Sequence, residues 1–111
     1  MLDLSIIIVS WNVRELLRRC LASVEAGRGA LAMEVIVVDG ASHDGSAAMV
    51  AAEFPWVRLL ARGDNVGFPR GNNLGLAMAN GRYLLLLNPD TEIVGDALTT
   101  LVRYLDSQPQ V

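Results

Sequence analysis

Two periods alternate along this chain. Leu4-Ser5-Ile6-Ile7-Ile8-Val9 is an uncharged, β-branched run and reads as a buried strand. After the turn Ser10-Trp11-Asn12, the apolar residues Val13, Leu16, Leu17, Cys20, Leu21 and Val24 recur at helical spacing. Arg14, Arg18 and Arg19 fall on the solvated side of that helix, Gly27 and Gly29 end it, and Asn12 with Glu15 has capping-box spacing. Glu34-Val35-Ile36-Val37-Val38 is a second strand with Asp39 directly after it. Ala47, Val50, Ala51 and Phe54 mark a second helix, which Asp44 or Ser42 is placed to cap and Pro55 closes. Residues 56–60 read as a third strand. A polar, glycine-rich run then leads to a short helix on Leu74, Ala77 and Met78 that stops at Asn80-Gly81. Tyr83-Leu84-Leu85-Leu86-Leu87 carries no charge and reads as a strand buried on both faces. Asp96 caps a last helix, with Leu98, Leu101, Val102 and Leu105 facing inward.

This β-α-β-α-β-α-β-α order predicts a three-layer α/β/α domain over residues 1–111, with a mostly parallel sheet and right-handed crossovers. At 52% hydrophobic and 19% charged residues, the chain can bury one core and is not disordered. A net charge of −3, without a basic stripe, argues against a nucleic-acid partner. No apolar run approaches the ~20 residues of a membrane helix, and the first residues lack the basic start of a signal peptide. The stretch 107–111 does not read as a natural finish, so the chain is expected to be the truncated amino-terminal part of a longer protein.

Three polar clusters fall beyond the carboxyl ends of predicted strands: Ser10-Trp11-Asn12, Asp39 to Ser46, and Asn88-Pro89-Asp90. In an open α/β sheet that rim is where ligands bind, and a switch point beside the first strand would bring its end next to that of the fourth. Pro89 stops the fourth strand and holds Asp90 on a stiffened turn. A carboxylate there suits a divalent cation, a sugar hydroxyl, or an ordinary strand-to-turn role. Asp39, directly after four apolar residues, is placed to accept hydrogen bonds from a base or ribose. Gly67, Gly71 and Gly75, spaced by four, allow either a ligand or a neighbouring element to come close. The amides that open the third helix suit an anion such as a diphosphate.

Several familiar templates fail. The first turn has no dinucleotide glycines, and a chain without lysine has no Walker motif. The loop from Asp39 has Val50 where a calcium loop needs glutamate. One histidine and one cysteine make no zinc set. His43 reads as an exposed loop residue and Cys20 as a small buried hydrophobe.

Taken together, Val9-Ser10-Trp11-Asn12, Cys20-Leu21-Ala22-Ser23, Glu34 to Asp39, Ser42-His43-Asp44-Gly45-Ser46, Asn65-Val66-Gly67-Phe68, Gly71-Asn72-Asn73-Leu74-Gly75 and Leu87-Asn88-Pro89-Asp90-Thr91 carry a resemblance. In this order the chain resembles the inverting, GT-A-fold (Rossmann-like) glycosyltransferases of family 2, nearest their rhamnosyltransferase-like branch. The resemblance implies a nucleotide-diphosphate-sugar donor, dTDP-rhamnose-like or a UDP-sugar. By it, Asp39 contacts the base, and Ser10, Trp11 and Asn12 line the nucleoside pocket. Ser42, Asp44, Asn65, Gly67, Gly71 and Asn88 join the donor site, and Asn72 and Asn73 border diphosphate and sugar. Asp90 stands where the family's acid binds a divalent metal, Mg²⁺ or Mn²⁺, or ribose.

In that family the carboxylate base lies in the second half with the acceptor site. The resemblance therefore implies no catalytic residue in this chain and no turnover by it alone. It also implies a glycan or lipid-linked acceptor, a role in polysaccharide or cell-wall biosynthesis, and a location in the cytoplasm or peripheral at the inner membrane face. Three positions depart from the family pattern: Gly40 stands for an asparagine, Asn88 for the first acid, and Pro69 for a small residue. The competing expectation is a degenerate, non-catalytic module for scaffolding or oligomerisation, including a homodimer through an exposed apolar surface. A nucleotidyltransferase would carry a glycine-rich basic loop where Ser10-Trp11-Asn12 stands.

Overall fold

The computed structural model describes residues 1–108, so the last three residues of the closing stretch lie outside the described part. Its elements are β1 (Leu4–Ser10), α1 (Arg14–Gly27), β2 (Met33–Gly40), α2 (Ser46–Glu53), β3 (Arg58–Arg62), α3 (Phe68–Met78), β4 (Tyr83–Leu86) and α4 (Ala97–Asp106). The four strands form one parallel sheet in the order β3-β2-β1-β4. From β1 the chain steps outward to β2 and β3, then returns across both to pair β4 with the other edge of β1. A right-handed crossover places helices on opposite faces for opposite directions of travel. The packing agrees: α1, α2 and α4 bury Leu17, Cys20, Leu21, Val24, Met49, Val50, Leu98 and Val102 with Leu4, Ile6, Ile8, Val35 and Val37. On the other face α3 sets Leu74 and Met78 against Ile36, Val38, Val9 and Leu60. This is the three-layer α/β/α domain read from the pattern.

Gly71 and Gly75 explain how closely α3 lies. A Cβ at Gly71 would stand 2.6 and 2.8 Å from the two methyls of Val9, and one at Gly75 would run into Ile7. The second half of the glycine-rich run is already helix, which starts at Phe68 rather than near Leu74. Of the two readings open for these glycines, close packing on the sheet is what Gly71 and Gly75 do.

Several expected boundaries and faces move, each for a local reason. Strand β3 begins at Arg58, two residues late, because 55–57 turn tightly: the Val57 amide donates to the Phe54 carbonyl at 3.0 Å. The Trp56 ring meets Phe54 edge-on, 6.1 Å between centroids. Strand β2 runs on through Asp39 and Gly40, which pair with Ala61 and Arg62. Leu16 and Ala51 are exposed, and Met49 takes the inward place on α2. Asp96 occupies the position before α4 but makes no side-chain cap bond.

The largest correction concerns β4, which is an edge strand with Leu84 53% and Leu86 47% exposed. These two residues pair with Ser5 and Ile7 on the α3 face. Helix α3 packs over β1 and β2, so among the described residues it leaves that part of β4 uncovered.

At the amino-terminal end of the sheet a polar cluster secures the return to β4. Glu34 accepts from the Ser5 hydroxyl (2.6 Å), the Asn80 amide (2.6 Å) and Arg58 (2.9 Å), and the Gly81 amide donates to Ser5 Oγ at 2.7 Å. Burial works to raise the Glu34 pKa, but these donors prevail and hold its carboxyl below the usual carboxylate range.

Candidate functional site

The carboxyl ends of β2, β1 and β4 lie side by side, so the loops after them share one rim. Ser10 is in register with Asp39. On β4, Ile7 pairs with Leu86 and the Leu87 amide donates to the Ile7 carbonyl at 2.9 Å. Asn88 and Asp90 therefore emerge beside the turn after β1. The Thr91 amide closes a turn on the Asn88 carbonyl at 3.1 Å, with Pro89 and Asp90 at its corners. Both Asn88 and Asp90 are exposed. Beneath them the Cys20 thiol approaches the Asn88 carbonyl at 4.0 Å. Burial, with the charges of Asp90 and Glu92, pushes that thiol up to about 11, which makes Cys20 an unreactive packing residue.

Between the ends of β1 and β2 and the start of α3 lies a cleft of about 280 Å³, lined by Val9, Ser10, Trp11, Gly40, Asn65, Gly67 and Phe68. Trp11 and Phe68 are half exposed at its margin. Gly40 lets Asn65 lie close to the end of β2, since a Cβ there would stand 3.2 Å from Asn65 Oδ1. Gly67 has φ +73° and ψ 166°, a conformation that excludes side chains, and turns the chain into α3. Its amide donates to Asn65 Oδ1 at 3.3 Å, and Pro69 has none to offer. The Phe68 and Arg70 amides thus remain at the helix's positive end.

Asp39 sits at the other side of the rim, 3% exposed. Its two oxygens accept from the Ser42 amide (3.1 Å) and the Ser42 hydroxyl. Ser42 Oγ in turn accepts from the Asn12 amide at 2.9 Å, and Asn12 Oδ1 accepts from the His43 amide at 2.7 Å. Asn12 (φ +51°) and Ala41 (φ +62°) adopt left-handed conformations in these loops. The expected capping box at Asn12 therefore does not form: a residue with that φ cannot start α1, and its side chain is used across the loop. Ser10 Oγ is buried without a hydrogen-bond partner among the described residues, a group that a bound molecule or water would satisfy.

The structure thus gathers Ser10, Trp11, Asn12, Asp39, Ser42, Asn65 and Gly67 around the ends of β1 and β2, with Asn88 and Asp90 across β1 from them. Asn72 is buried and Asn73 exposed on α3. Gly71 faces Val9. The Asp44 carboxylate is turned to helix amides and lines a separate groove with Arg14 and Leu16. Phe68 was not singled out from sequence. An aromatic residue inside an otherwise polar glycine run was the available signal.

For a divalent cation, the described residues contain no group of three histidine, cysteine or acidic side chains that could hold one. Asp90 alone, exposed on its turn, fits the shared mode in which one carboxylate and a substrate's phosphates complete the ligand set.

A parallel α/β/α sheet with a cleft at the carboxyl ends of β1 and β2, and an acid on each side of β1, has the layout in which open α/β domains bind ligands at the strands' carboxyl rim. Residues 5–111 match the sequence profile described as Glycosyl transferase family 2, and the chain belongs to that family. The succinoglycan biosynthesis protein ExoO of Rhizobium meliloti is 32% identical over 95% of this chain and 30% of its own length. The abequosyltransferase RfbV of Salmonella typhimurium is 29% identical over 97% of this chain and 34% of its own. The chain thus spans about a third of the length of these relatives. Among solved structures, S. aureus TarS residues 1–349 superpose with TM-score 0.81 at 23% identity, covering 94% of this chain and 32% of that one. The Pyrobaculum calidifontis mannosyltransferase PcManGT, solved with GDP-Man and Mn²⁺, gives 0.81 at 22%, covering 100% and 36%. These likenesses establish the GT-A-type fold. No helix among the described residues is long and apolar enough to cross a membrane.

Proposed function

We propose that this chain forms the donor-binding part of an inverting glycosyltransferase that uses a nucleotide-diphosphate sugar. The observation that carries the reading is the cleft at the ends of β1 and β2, whose Gly40 directly follows the buried Asp39, open to the positive end of α3 and one strand from Asp90. A nucleobase fits between Trp11 and Phe68 near Asp39, whose oxygens each keep a lone pair free beyond Ser42. The diphosphate then extends toward the Phe68 and Arg70 amides, with Asn72 and Asn73 on the first turns of the same helix. Asp90 would hold Mg²⁺ or Mn²⁺, which when bound neutralises charge on the departing diphosphate. The sugar's anomeric carbon becomes oxocarbenium-like as that group leaves, and inversion needs a base for the acceptor hydroxyl. No residue described above is assigned that task.

The rhamnosyltransferase-like branch is our finer proposal, supported by Asn88-Pro89-Asp90 in place of a pair of acids. A glycan or lipid-linked acceptor in polysaccharide or cell-wall synthesis is supported by the likeness to a succinoglycan biosynthesis protein and an abequosyltransferase.

Calorimetric titration with UDP, dTDP and GDP, each with and without Mn²⁺, tests the reading. Binding of one of them, weakened about tenfold or more by Asp39→Asn, is expected from the loss of a charge-assisted hydrogen bond. A folded chain that binds none of the three would overturn it. Metal-dependent tightening that survives Asp90→Asn would remove Asp90 from the metal role. Binding unchanged by both substitutions would favour the scaffolding module.

A further inference from the structure

We propose that Asp44 is a positioning residue for this site: one carboxylate joins the amino-terminal ends of α1 and α2 and thereby fixes Asp39 at the root of the loop. The inference rests on the donor-binding reading above.

Neither helix caps itself, because Val13 and Gly45, the residues at the two cap positions, make no side-chain cap bond. Asp44 serves both. Its Oδ2 accepts the Arg14 amide of α1 at 2.9 Å, thirty residues away in sequence, while Oδ1 accepts the Ser46 amide of α2 at 3.0 Å and the Ser46 hydroxyl. Two positive helix ends converge on a single anion. Burial opposes the charge, yet the Ser46 hydroxyl and the Arg14 and Ser46 amides keep the carboxyl below its usual range.

The inner side of the same loop is what the clamp controls. Ser42 holds Asp39 from within the loop, and Asn12 meets Ser42 and His43 from the other side of it. The left-handed backbone at Ala41, unfavourable for an L-residue, lies between Asp39 and Ser42. Such a conformation persists where its surroundings over-determine it, and Asp44 supplies that constraint by pinning the far end of the loop to α1. Asp44 does not line the 280 Å³ cleft and faces a separate groove of about 340 Å³ with Asn12, Val13, Arg14, Glu15 and Leu16. Its influence on a ligand therefore runs through Asp39.

The test compares Asp44→Ala, Asp44→Asn and Ser46→Ala with the unmodified chain. The ligand is whichever of UDP, dTDP or GDP the unmodified chain binds, at a temperature where circular dichroism shows every variant folded. Asp44→Ala should weaken binding about 5- to 30-fold, the range expected for losing an N-terminal cap that holds the loop. Asp44→Asn keeps one acceptor oxygen and can cap only one helix, so it should fall between, and it carries the test if the alanine variant does not fold. Ser46→Ala removes a donor on the α2 side, leaves the Arg14 link intact, and should stay within about twofold of the unmodified chain. Amide exchange at Asn12 and His43 should quicken in the Asp44 variants only. Equal nucleotide affinity in the folded Asp44 variants overturns the inference, as does a loss in Ser46→Ala matching that in Asp44→Ala. If the unmodified chain binds none of the nucleotides, the donor-binding reading fails first and this inference falls with it.

Discussion

Replacing Glu34 by alanine should remove about 2–4 kcal/mol of folding stability, a large share of the roughly 5–15 kcal/mol typical of a domain. The magnitude follows from what is left behind. Ser5 is fully buried, and its hydroxyl would lose its acceptor, at about 1–3 kcal/mol. The Asn80 amide is reached by water, and the Arg58 side chain is 43% exposed, so these two together add about 1 kcal/mol. Glu34→Gln should cost about 1 kcal/mol, because its one oxygen can still serve Ser5 and Asn80 while its amide faces Arg58. Urea unfolding followed by Trp11 and Trp56 fluorescence measures both.

A pH series sharpens the test. The Glu34 carboxyl lies below its ordinary value in the folded chain, so its contribution is present in full above the unfolded value of about 4.3. It is lost as pH falls through the lower, folded value. The gap between wild type and Glu34→Ala should be flat from about pH 8 to 5 and should close below about pH 4. A loss under about 1 kcal/mol at neutral pH, or a gap that widens on acidification, would refute the reasoning.

Three further outcomes follow from the packing. Gly71→Ala should destabilise by up to about 2 kcal/mol, overpacking against Val9 by about 1–3 kcal/mol less about 1 kcal/mol of helix propensity; denaturant midpoints will show it. Leu84→Ser with Leu86→Ser should together cost less than about 1.5 kcal/mol by the same assay, whereas a strand buried on both faces would lose several. Cys20 in the folded chain should resist a disulfide thiol reagent at neutral pH and react fully in urea, as absorbance of the released thiolate will report.

Much of this architecture was legible because its signals are local. The run from Leu4 to Val9, the spacing of Leu17, Cys20, Leu21 and Val24, and the Pro55 stop each follow from neighbouring residues. The placement of Asp39 and Asp90 at one rim followed once the fourth strand was set beside the first. What stayed hidden depends on partners distant in sequence. Asn12 and Glu15 have the spacing of a capping box, yet the cap of α1 comes from Asp44, because hydrogen bonds to Ser42 and His43 hold Asn12 in a left-handed turn. Gly71 and Gly75 look alike whether a ligand or Val9 and Ile7 lies opposite. Five apolar residues in β4 read as interior, but which neighbours a strand acquires is a tertiary outcome that periodicity does not encode.

The outer border of β4 has a practical consequence for anyone handling the isolated polypeptide. Its main-chain donors and acceptors face solvent between two bare leucines, without the lysine, proline or bulge that guards such borders in many proteins. That border is therefore the place where two copies of the isolated polypeptide are expected to pair. Light scattering that climbs with concentration, and subsides when a charge is placed at Leu84, would locate the sticking point.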